Sequence, residues 1–595
     1  MESVSVDCLL LAKTLGHCQL VGSFAVLLTL LFGVYHFLRG PLLYPGFPAV
    51  GLDDKSWGWF RYRNAVREYR TRGKQIVNEG SEVSEFGHPK LHDAVPVDLT
   101  NILCLCLYPK TRKPFQVVTD TVTKICFPPE YANELKNIKA LSFTKALEKV
   151  ELFTAYRGFE PIKAASHESN ILQNVTRLRI TPSLIVTRLI RAASQSIRLD
   201  KELTAVPRPL DGRNRRRNFY RSQRTTWSPN RMPTPPATAD WQEAAFKPIG
   251  QNLVARLSAR LFVGTQLCRN QEWLKVSTAY AVDGFVAAYA LRGWHPLVRW
   301  AVSWFLPECR RLRKTVSDAR RILEPVIKGH SRHDRQHASG ESCKSSPRAD
   351  TIDWLLEAFD KAGITGRWNV ADAQLGLSIV AIHTTTELLT GALFDIVAAG
   401  PHLVDELREE IVRVLGPETV AQSQGNTVFS KTSLYEMKLL DSTLKESQRM
   451  HTRGIGAMGR VSEADVQLSD GSTIPKGAFS IVTLGCYHDE KVYPQPGIFN
   501  PRRFLEMRSK PGEEKNWQLV TTSPHHLGFG YGDHACPGRF LAANEVKIAL
   551  VYLLMEYDWK LPGQRPQDTM VIGSQHQADA RAKVLFKKRV SEIAL

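Results

Sequence analysis

The chain has 595 residues, of which 43% are hydrophobic and 23% charged, a composition that argues against disorder and allows a large core. Its 78 Lys and Arg against 59 Asp and Glu give a formal net charge of +19, which favours an acidic partner protein or an anionic membrane surface. No zinc-finger spacing and no aromatic–basic strip is present, so the sequence predicts no nucleic-acid partner. The ten cysteines are scattered without a C-x-x-C pair, which indicates a reducing compartment.

The amino terminus contains a candidate membrane anchor. Residues 20–38, LVGSFAVLLTLLFGVYHFL, are mostly apolar and uncharged, enough to span a bilayer as one helix. A cleaved signal peptide is the alternative, but it normally has a shorter apolar region and a basic start. Basic residues follow the run, so the positive-inside rule places the remainder of the chain in the cytosol. The sequence thus predicts a luminal terminus at 1–19, the anchor at 20–38, a proline- and glycine-rich hinge at 39–59 and a large domain at 60–590.

The domain itself alternates helix-like and strand-like sequence, with two polar interruptions. NAVREYRTRGKQIV has a helical pattern, and KPFQVVTDTVTKICF has the pattern of strands. Residues 207–237 hold eight arginines against one acidic residue, and they form a solvated loop, a membrane-contacting loop or a non-native stretch from an imperfect gene model. Residues 328–350 are predicted to be a second polar linker.

A long apolar segment lies at residues 373–400, AQLGLSIVAIHTTTELLTGALFDIVAAG. It is either a second membrane span or the central helix of a large core. The polar residues at its middle are costly at a bilayer centre, so we expect a buried helix beside a polar cavity. Farther on, GRVSEADVQLSDGSTIPKG predicts a hairpin with its turn at Asp470-Gly471. The fold class is therefore mainly α (α+β), with a smaller strand-rich portion.

One cysteine stands in a loop rich in glycine and aromatic residues, HHLGFGYGDHACPGRF. Phe529, Gly532, Cys536 and Gly538 fit the pattern F-x-x-G-x-x-x-C-x-G, before a helix that begins near Arg539. Glycines let the backbone fold tightly beneath a flat ligand, and their amides can donate to sulfur. The alternative is a turn holding an ordinary buried thiol. The pattern resembles the haem-binding loop of the cytochrome P450 family.

Two further motifs occur in that family's order. Glu446 and Arg449 form an E-x-x-R pair on one helix face, which alone is typical of a surface salt bridge. FNPRRF resembles the family's F-x-P-x-R-F motif. The resemblance implies that Arg503 joins Glu446 and Arg449 in a buried charge network that supports the cysteine loop.

The apolar helix resembles the family's distal helix, with one departure. In VAIHTTT, His383 takes the place of the family's acidic residue and Thr384 that of its threonine, with Thr385 next. The resemblance implies that Thr384 holds a distal water, whereas the alternative is a threonine bonded to its own helix. Because histidine titrates near neutrality, the proton relay is expected to differ from that of an acid. Histidine here is similar to fungal members that oxidise terpenoids of the gibberellin and indole-diterpene pathways.

The resemblance also implies contacts for the cofactor. Arg460 matches a position that binds a haem propionate, and His534 is a second candidate, whereas no upstream propionate contact is assigned in HESNILQNVTRLRI. Haem b is expected with Cys536 as its axial iron ligand, in a catalytic haem domain at 60–590.

The implied enzyme is a microsomal monooxygenase with the P450 fold. It is expected in the endoplasmic reticulum membrane as a single-pass protein with a cytosolic catalytic domain. Its partners would be NADPH–cytochrome P450 reductase and a lipophilic small molecule, a terpenoid or related fungal secondary metabolite. The alternatives are a reductase-independent isomerase or dehydratase of the same fold, and a non-catalytic haem-binding membrane protein disabled by the insert at 207–237.

Overall fold

A computed structural model describes most of the predicted large domain. The predicted luminal segment, the anchor at 20–38 and the basic insert at 207–237 lie outside the described residues. The described ranges are 42–52, 58–83, 113–148, 154–166, 170–180, 240–294, 296–338, 350–364, 368–416, 430–572 and 575–593.

Helices make up most of the described chain. They are α1 (Gly58–Val83), α2 (Ala132–Leu135), α3 (Phe143–Ala146), α4 (Glu160–Ala165), α5 (Ile171–Val175), α6 (Phe246–Phe262), α7 (Gly264–Leu267), α8 (Gln271–Arg292), α9 (Pro296–Phe305), α10 (Pro307–Ala338), α11 (Thr351–Lys361), α12 (Val370–Ala398), α13 (Pro401–Leu415), α14 (Lys431–Glu436), α15 (Lys438–Met450), α16 (Arg503–Arg508) and α17 (Arg539–Glu556).

The strands form one larger sheet and three small ones. They are β1 (Ala49–Val50), β2 (Phe115–Val118), β3 (Thr123–Phe127), β4 (Leu141–Ser142), β5 (Gln242–Ala245), β6 (Gly456–Ser462), β7 (Val466–Gln467), β8 (Thr473–Ile474), β9 (Phe479–Thr483), β10 (Tyr557–Lys560), β11 (Thr569–Ile572), β12 (Gln575–Gln577) and β13 (Lys583–Lys588). The six-stranded sheet has the order β1-β2-β3-β9-β6-β4, the three-stranded sheet has the order β10-β13-β5, and β11-β12 and β7-β8 are two-stranded.

Helix α12 is the centre of the helical core. The side chain of Asn369 caps its first turn by accepting a hydrogen bond from the amide of Ala371 at 2.8 Å. It packs against α4, α6, α8, α10, α15 and α17. Among the described helices it alone is long and apolar enough to span a membrane, and 72% of its most apolar window is buried. The expectation of a core helix is therefore confirmed.

Several local predictions are confirmed and one is wrong. β2 and β3 pair antiparallel within KPFQVVTDTVTKICF, and β7 and β8 pair about a turn in which Gly471 has a φ of 85°. The prediction of a linker from residue 328 is wrong at its start, because α10 continues to Ala338. The helix that begins at Pro307 extends into this polar segment, in which Lys328, Arg332, Arg335, Gln336 and Ala338 are good helix formers.

The described part of the predicted hinge lies against the six-stranded sheet. The amide side chain of Gln116 in β2 donates to the carbonyl oxygens of Tyr44, at 2.9 Å, and Phe47, at 2.5 Å. Phe47 is buried, and β1 pairs parallel to β2. Residues 44–50 are thus fixed to the domain rather than loose.

Candidate active site

Cys536 lies just before the first turn of α17, in the loop that the sequence singled out. Burial raises the pKa of its thiol above the ordinary value. Hydrogen bonds to the sulfur from the backbone amides of Gly538 and Arg539, and the positive charge of Arg539, lower that pKa and partly offset the effect of burial. Amides at a helix amino terminus favour an anionic sulfur, and a metal ion completes its deprotonation. The surroundings of Cys536 therefore suit a metal-bound thiolate.

Two glycines give the loop its shape. Gly530 and Gly532 have φ values of 70° and 75°, in the left-handed region. A Cβ at Gly532 would lie 2.6 Å from Cβ of Lys136 and 2.7 Å from its carbonyl oxygen. The loop closes through a 2.8 Å hydrogen bond from the amide of Cys536 to the carbonyl of Phe529. A larger residue at 532 would displace the loop from the domain.

The cysteine loop and α12 face each other across one cavity. Its volume is about 4160 Å³, and its lining includes Cys536, Phe529 and Gly532 on one side and Val380 and Thr384 on the other. Pockets for small ligands usually measure about 300–1,000 Å³, so this cavity has room for a flat macrocycle and a further small molecule.

A buried cation beside the cysteine loop lacks an anionic partner. The guanidinium of Arg460 donates to the carbonyl of Gly459 at 2.7 Å, and among the described residues no carboxylate lies within ion-pair distance. Burial lowers the pKa of Arg460 to about 10. Its guanidinium lies 5.4 Å from the ring centroid of Phe143, and the ring of His534 lies 6.2 Å from that of Phe143. The two predicted propionate contacts are thus grouped around one aromatic ring.

A further cationic residue lines the same cavity. Arg177, in the sequence NVTRLRI where no propionate contact was assigned, faces the cavity from the helical turn Thr176–Ile180. Thr176 lies beside the cysteine loop, since a Cβ at Gly538 would be 3.8 Å from its Cγ2. The cavity, the thiol with its amide donors and the unpaired buried cation together fit a haem with anionic propionates.

The three polar residues predicted on α12 lie at the cavity but differ in their contacts. The hydroxyl of Thr384 donates to the carbonyl of Val380 at 2.6 Å, which is the helix bond considered as its alternative role. The hydroxyl of Thr385 is buried and has no hydrogen-bond partner in the described part of the chain. His383 donates from Nε2 to the carbonyl of Thr278 at 3.0 Å, and burial lowers its pKa.

The predicted charge network is buried. Glu446 contacts Arg449 through 2.8 Å and 2.9 Å hydrogen bonds and contacts Nε of Arg503 at 3.0 Å. The amide of Asn500 also donates to Glu446 at 3.1 Å, and Arg449 donates to the carbonyl of Tyr487 at 2.6 Å. The network thereby joins α15 to α16.

The same network extends toward the cysteine loop. The guanidinium of Arg449 lies 5.3 Å from the ring centroid of Tyr493. The hydroxyl of Tyr493 donates to the carbonyl of His525 at 2.9 Å, at the start of the loop sequence. The structure therefore connects the E-x-x-R and FNPRRF motifs, through Tyr493, to the start of the cysteine loop sequence.

Other charged residues at the cavity were not found by sequence reasoning. Glu387, one turn beyond His383, forms ion pairs with Lys247 and, at 3.2 Å, with Arg453. Glu545 on α17 is buried, accepts a 3.0 Å hydrogen bond from Ser258, and has its pKa raised to about 8 by burial. Their partners are distant in sequence, so the only available signal was the i, i+4 spacing of His383 and Glu387.

A helix-rich fold, a cysteine loop of this shape and a cavity between that loop and a distal helix are typical of haem-thiolate proteins. A family model for cytochrome P450 matches residues 283–580. The chain is 34% identical over 522 residues to cytochrome P450 monooxygenase adrA of Penicillium rubens, covering 87% of this chain and 92% of that protein.

Two other fungal relatives give the same result. Cytochrome P450 monooxygenase 1 of Gibberella fujikuroi is 35% identical over 81% of this chain and 99% of its own length. Cytochrome P450 monooxygenase hepE of Aspergillus oryzae is 33% identical over 96% of this chain and 90% of its own. The chain belongs to the cytochrome P450 family and is a P450 monooxygenase, and family membership implies a haem cofactor.

Proposed function

We propose that this monooxygenase holds haem b through Cys536 and oxidises a lipophilic small molecule with electrons from NADPH–cytochrome P450 reductase. One observation carries the proposal. The sulfur of Cys536, with two backbone amides directed at it, lines the same cavity as Val380 and Thr384 of α12. A substrate in that cavity would lie between the distal helix and the cofactor.

The loop residues would bind and orient the cofactor. Phe529, Gly532 and Gly538 would form the surface under the macrocycle, and Arg460, His534 and Arg177 would face its carboxylates. The carboxylates would neutralise Arg460, a buried cation with no carboxylate partner among the described residues, which gains more free energy than a surface pair would. Glu446, Arg449 and Arg503 would hold the loop in place. When bound, the haem supplies the activation of dioxygen.

The residues of α12 would handle protons. The hydroxyl of Thr384 donates its hydrogen bond to the carbonyl of Val380, so its oxygen is left to accept a hydrogen bond from water in the cavity. Thr385 carries a buried hydroxyl without a partner among the described residues, so it can also bind water. His383 is neutral at pH 7 because burial lowers its pKa, and with Nε2 bound to Thr278 its Nδ1 can accept a proton.

The substrate class rests on the cavity lining and on the sequence HTTT. Apolar residues of α8 and α12, among them Val276, Val282, Leu377 and Val380, line the cavity. This surface suits a hydrocarbon skeleton with few polar groups. We assign it to a terpenoid or related fungal secondary metabolite, in line with the resemblance of the His383–Thr385 segment.

The enzyme is proposed to act at the endoplasmic reticulum membrane through the anchor at 20–38, with its domain in the cytosol. Exposed aromatic residues on α9 support a membrane-facing side, since Trp300 is 69% and Phe305 77% exposed. The net charge of +19 suits both anionic lipid and the acidic face of a reductase.

The test is a carbon monoxide difference spectrum followed by turnover. Reduced full-length protein in yeast microsomes should absorb near about 450 nm with carbon monoxide, the mark of a thiolate ligand. Cys536→Ser should lose this band, because a neutral hydroxyl does not replace the thiolate. With reductase, NADPH and ¹⁸O₂, a candidate terpenoid should gain one labelled oxygen.

The matched control is Cys268→Ser, which should keep the band. Cys268 is a buried cysteine whose sulfur contacts the carbonyl of Thr265 at 3.6 Å, a contact that a serine hydroxyl can replace. A band that survives in Cys536→Ser would refute the ligand assignment. A product formed without NADPH and without label would instead indicate a reductase-independent isomerase or dehydratase.

A further inference from the structure

The hairpin β11–β12 forms one wall of the cavity near the carboxyl terminus. Thr569 and residues 575–578 line the cavity. Within the described strands, β11 pairs only with β12. A lone two-stranded hairpin is marginally stable in water, so contacts from outside it must fix its position.

The amino-terminal end of the hairpin is held by charged groups. Nε of Arg565 pairs with Asp395 of α12. Asp568 faces Nη1 of Arg453 at 3.5 Å and Nδ1 of His451 at 3.4 Å. Burial raises the pKa of Asp568, but hydrogen bonding and charge from His451 and the arginines outweigh it and hold that pKa well below its usual range.

The carboxyl-terminal end is held by a second carboxylate of α12. Glu387 accepts a 3.0 Å hydrogen bond from the amide of Ala578, while Lys247 donates to the carbonyl of Ala578 at 3.0 Å. Arg453 pairs with Glu387 at 3.2 Å, and its carbonyl accepts from the amide of His576 at 3.3 Å. Two acidic residues of one helix thus hold opposite ends of the hairpin, with Arg453 between them.

His451 is the histidine that contacts both carboxylates at the amino-terminal end of the hairpin, and histidine changes charge near neutral pH. His576 of β12 is a second histidine of the hairpin. Its Nε2 lies 2.9 Å from Oδ1 of Asp395, and its Nδ1 lies 3.4 Å from Oδ2 of Asp568. Since a carboxylate only accepts, both ring nitrogens must carry a proton to make both contacts. Burial would lower the pKa of His451, but the two carboxylates raise it above its ordinary value, against the charge of Arg565.

Other charged and polar groups face the same site. Burial lowers the pKa of Lys74 on α1, and the nearby carboxylate of Asp568 opposes that shift. Asp395 also accepts a 2.5 Å hydrogen bond from the hydroxyl of Ser447 on α15. Arg565 approaches Asp568 at 3.8 Å, and Arg453 and Glu387 complete the group. Arg565 contacts both Asp395 and Asp568, and Arg453 joins Glu387 to Asp568. Among the described residues, His451 is therefore one of three cationic links between α12 and this end of the hairpin, and it is the one whose side chain type loses its charge near neutral pH.

We propose that His451 is a positioning residue for the substrate, because its protonated ring fastens the β11–β12 hairpin to α12 and its deprotonation loosens this wall. The substrate part rests on the proposed function, since it takes the cavity as the substrate site. The folded-state pKa is raised above the unfolded one, so the contribution is complete below the unfolded pKa. It is lost as the pH rises through the folded pKa.

The test is hydrogen–deuterium exchange of full-length haem-loaded protein from about pH 6 to about pH 9, corrected for the intrinsic exchange rate. Peptides covering 565–577 should lose protection at least about tenfold as the pH rises, the scale of one charge-assisted hydrogen bond. Peptides from α17 provide the reference. His451→Gln should show the low protection at every pH, and His451→Lys should keep protection throughout because it stays charged.

His402→Gln is the matched control, since His402 is 85% exposed on α13 and should leave the pH profile unchanged. A second readout is the spectral affinity for clotrimazole, a bulky azole, relative to that for imidazole, a small one. The ratio should fall with pH in the wild type and not in His451→Lys.

Two results would overturn the proposal: pH-independent protection of 565–577 in the wild type, or an unchanged pH profile in His451→Gln. The wild-type series decides even where a variant fails to fold. The carbon monoxide spectrum tests the proposed function separately. A missing band near about 450 nm would refute the thiolate ligand, whereas the exchange data would still decide the role of His451.

Discussion

The guanidinium of Arg460 is buried and, among the described residues, has no carboxylate partner, whereas the equally buried Arg503 pairs with Glu446 at 3.0 Å. A desolvated cation without a counter-charge costs free energy in the folded protein. The cost disappears if an anionic ligand binds beside it. Buried arginines of one protein can therefore have opposite effects on the stability of the haem-free state.

Arg460→Leu and Arg503→Leu form a matched pair that tests this difference. Arg460→Leu should leave the free energy of unfolding of haem-free protein unchanged or higher, and should speed haem transfer to apomyoglobin by at least about tenfold, as one charge-assisted contact is lost. Arg503→Leu should lower the free energy of unfolding by about 3–5 kcal/mol, because Glu446 loses one of its two cationic partners and the carbonyls of Gln495 and Ile498 lose a buried donor. Urea unfolding measures the free energy of unfolding, and Soret absorbance measures the rate of haem transfer. Equal destabilisation by both substitutions would show that Arg460 has a partner in the haem-free protein.

The residues that the sequence revealed are those grouped in short motifs. Cys536 with its glycines, and Glu446 with Arg449, lie within a few positions of each other, so local spacing carries the information. Glu387, His451 and Asp568 meet only after folding, over separations that no periodicity records. Their function as a group depends on tertiary packing and could not be read from one sequence.

At the scale of elements, composition predicted the core better than the surface. The apolar run of α12 indicated a buried helix because its polar centre excluded a bilayer. The polar residues after 328 indicated a linker, yet α10 includes them as far as Ala338. Strand β5, of only four residues, was missed because its pairing partner β13 lies more than 300 residues away. Short strands depend on such distant partners more than on propensity.

Gly532 provides a prediction at the level of the cysteine loop. Gly532→Ala meets two costs, a positive φ of 75° and a Cβ only 2.6 Å from Lys136. Gly512→Ala is its matched control, with a φ of 82° and nothing within 4 Å of the Cβ. The control should lose only about 1–2 kcal/mol of unfolding free energy, the cost of the left-handed conformation.

Gly532→Ala should lose more stability than the control and should also bind less haem, because the loop must move away from α2 and its following turn. Denaturant unfolding and the ratio of Soret to protein absorbance measure the two effects. Equal losses in both variants, with normal haem content, would show that the contact with Lys136 yields without moving the loop.

At the scale of the whole molecule, two features favour contact with a membrane, the positive net charge and the exposed aromatic side chains. The chain carries a net charge of +19, while α9 exposes Trp300 and Phe305. Charge attraction to anionic lipid weakens with salt, but insertion of an apolar helix does not. Salt can therefore separate the contribution of the proposed anchor from that of the domain surface.

We expect the full chain to behave as an integral membrane protein through the proposed anchor, and the variant without residues 20–38 to behave as a peripheral one. The full chain should remain in the microsomal pellet after alkaline carbonate, because a span of about 20 apolar residues is effectively irreversible once inserted. The deletion variant should be released by carbonate, and at neutral pH should leave the membrane as salt rises, since its attachment is then electrostatic. Immunoblots of pellet and supernatant measure both.

Deletion of residues 1–19 is the control, because it leaves the apolar run intact and should not change the carbonate result. Trp300→Ala and Phe305→Ala, added to the 20–38 deletion, should release the protein from the membrane at lower salt. The two exposed aromatic side chains contribute apolar contact with lipid beside the charge attraction, and the substitutions remove it. If the 20–38 deletion resists carbonate, another segment spans the bilayer. The single long apolar helix among those described, α12, is then the segment to examine, although its burial against α6, α8 and α15 already opposes that role.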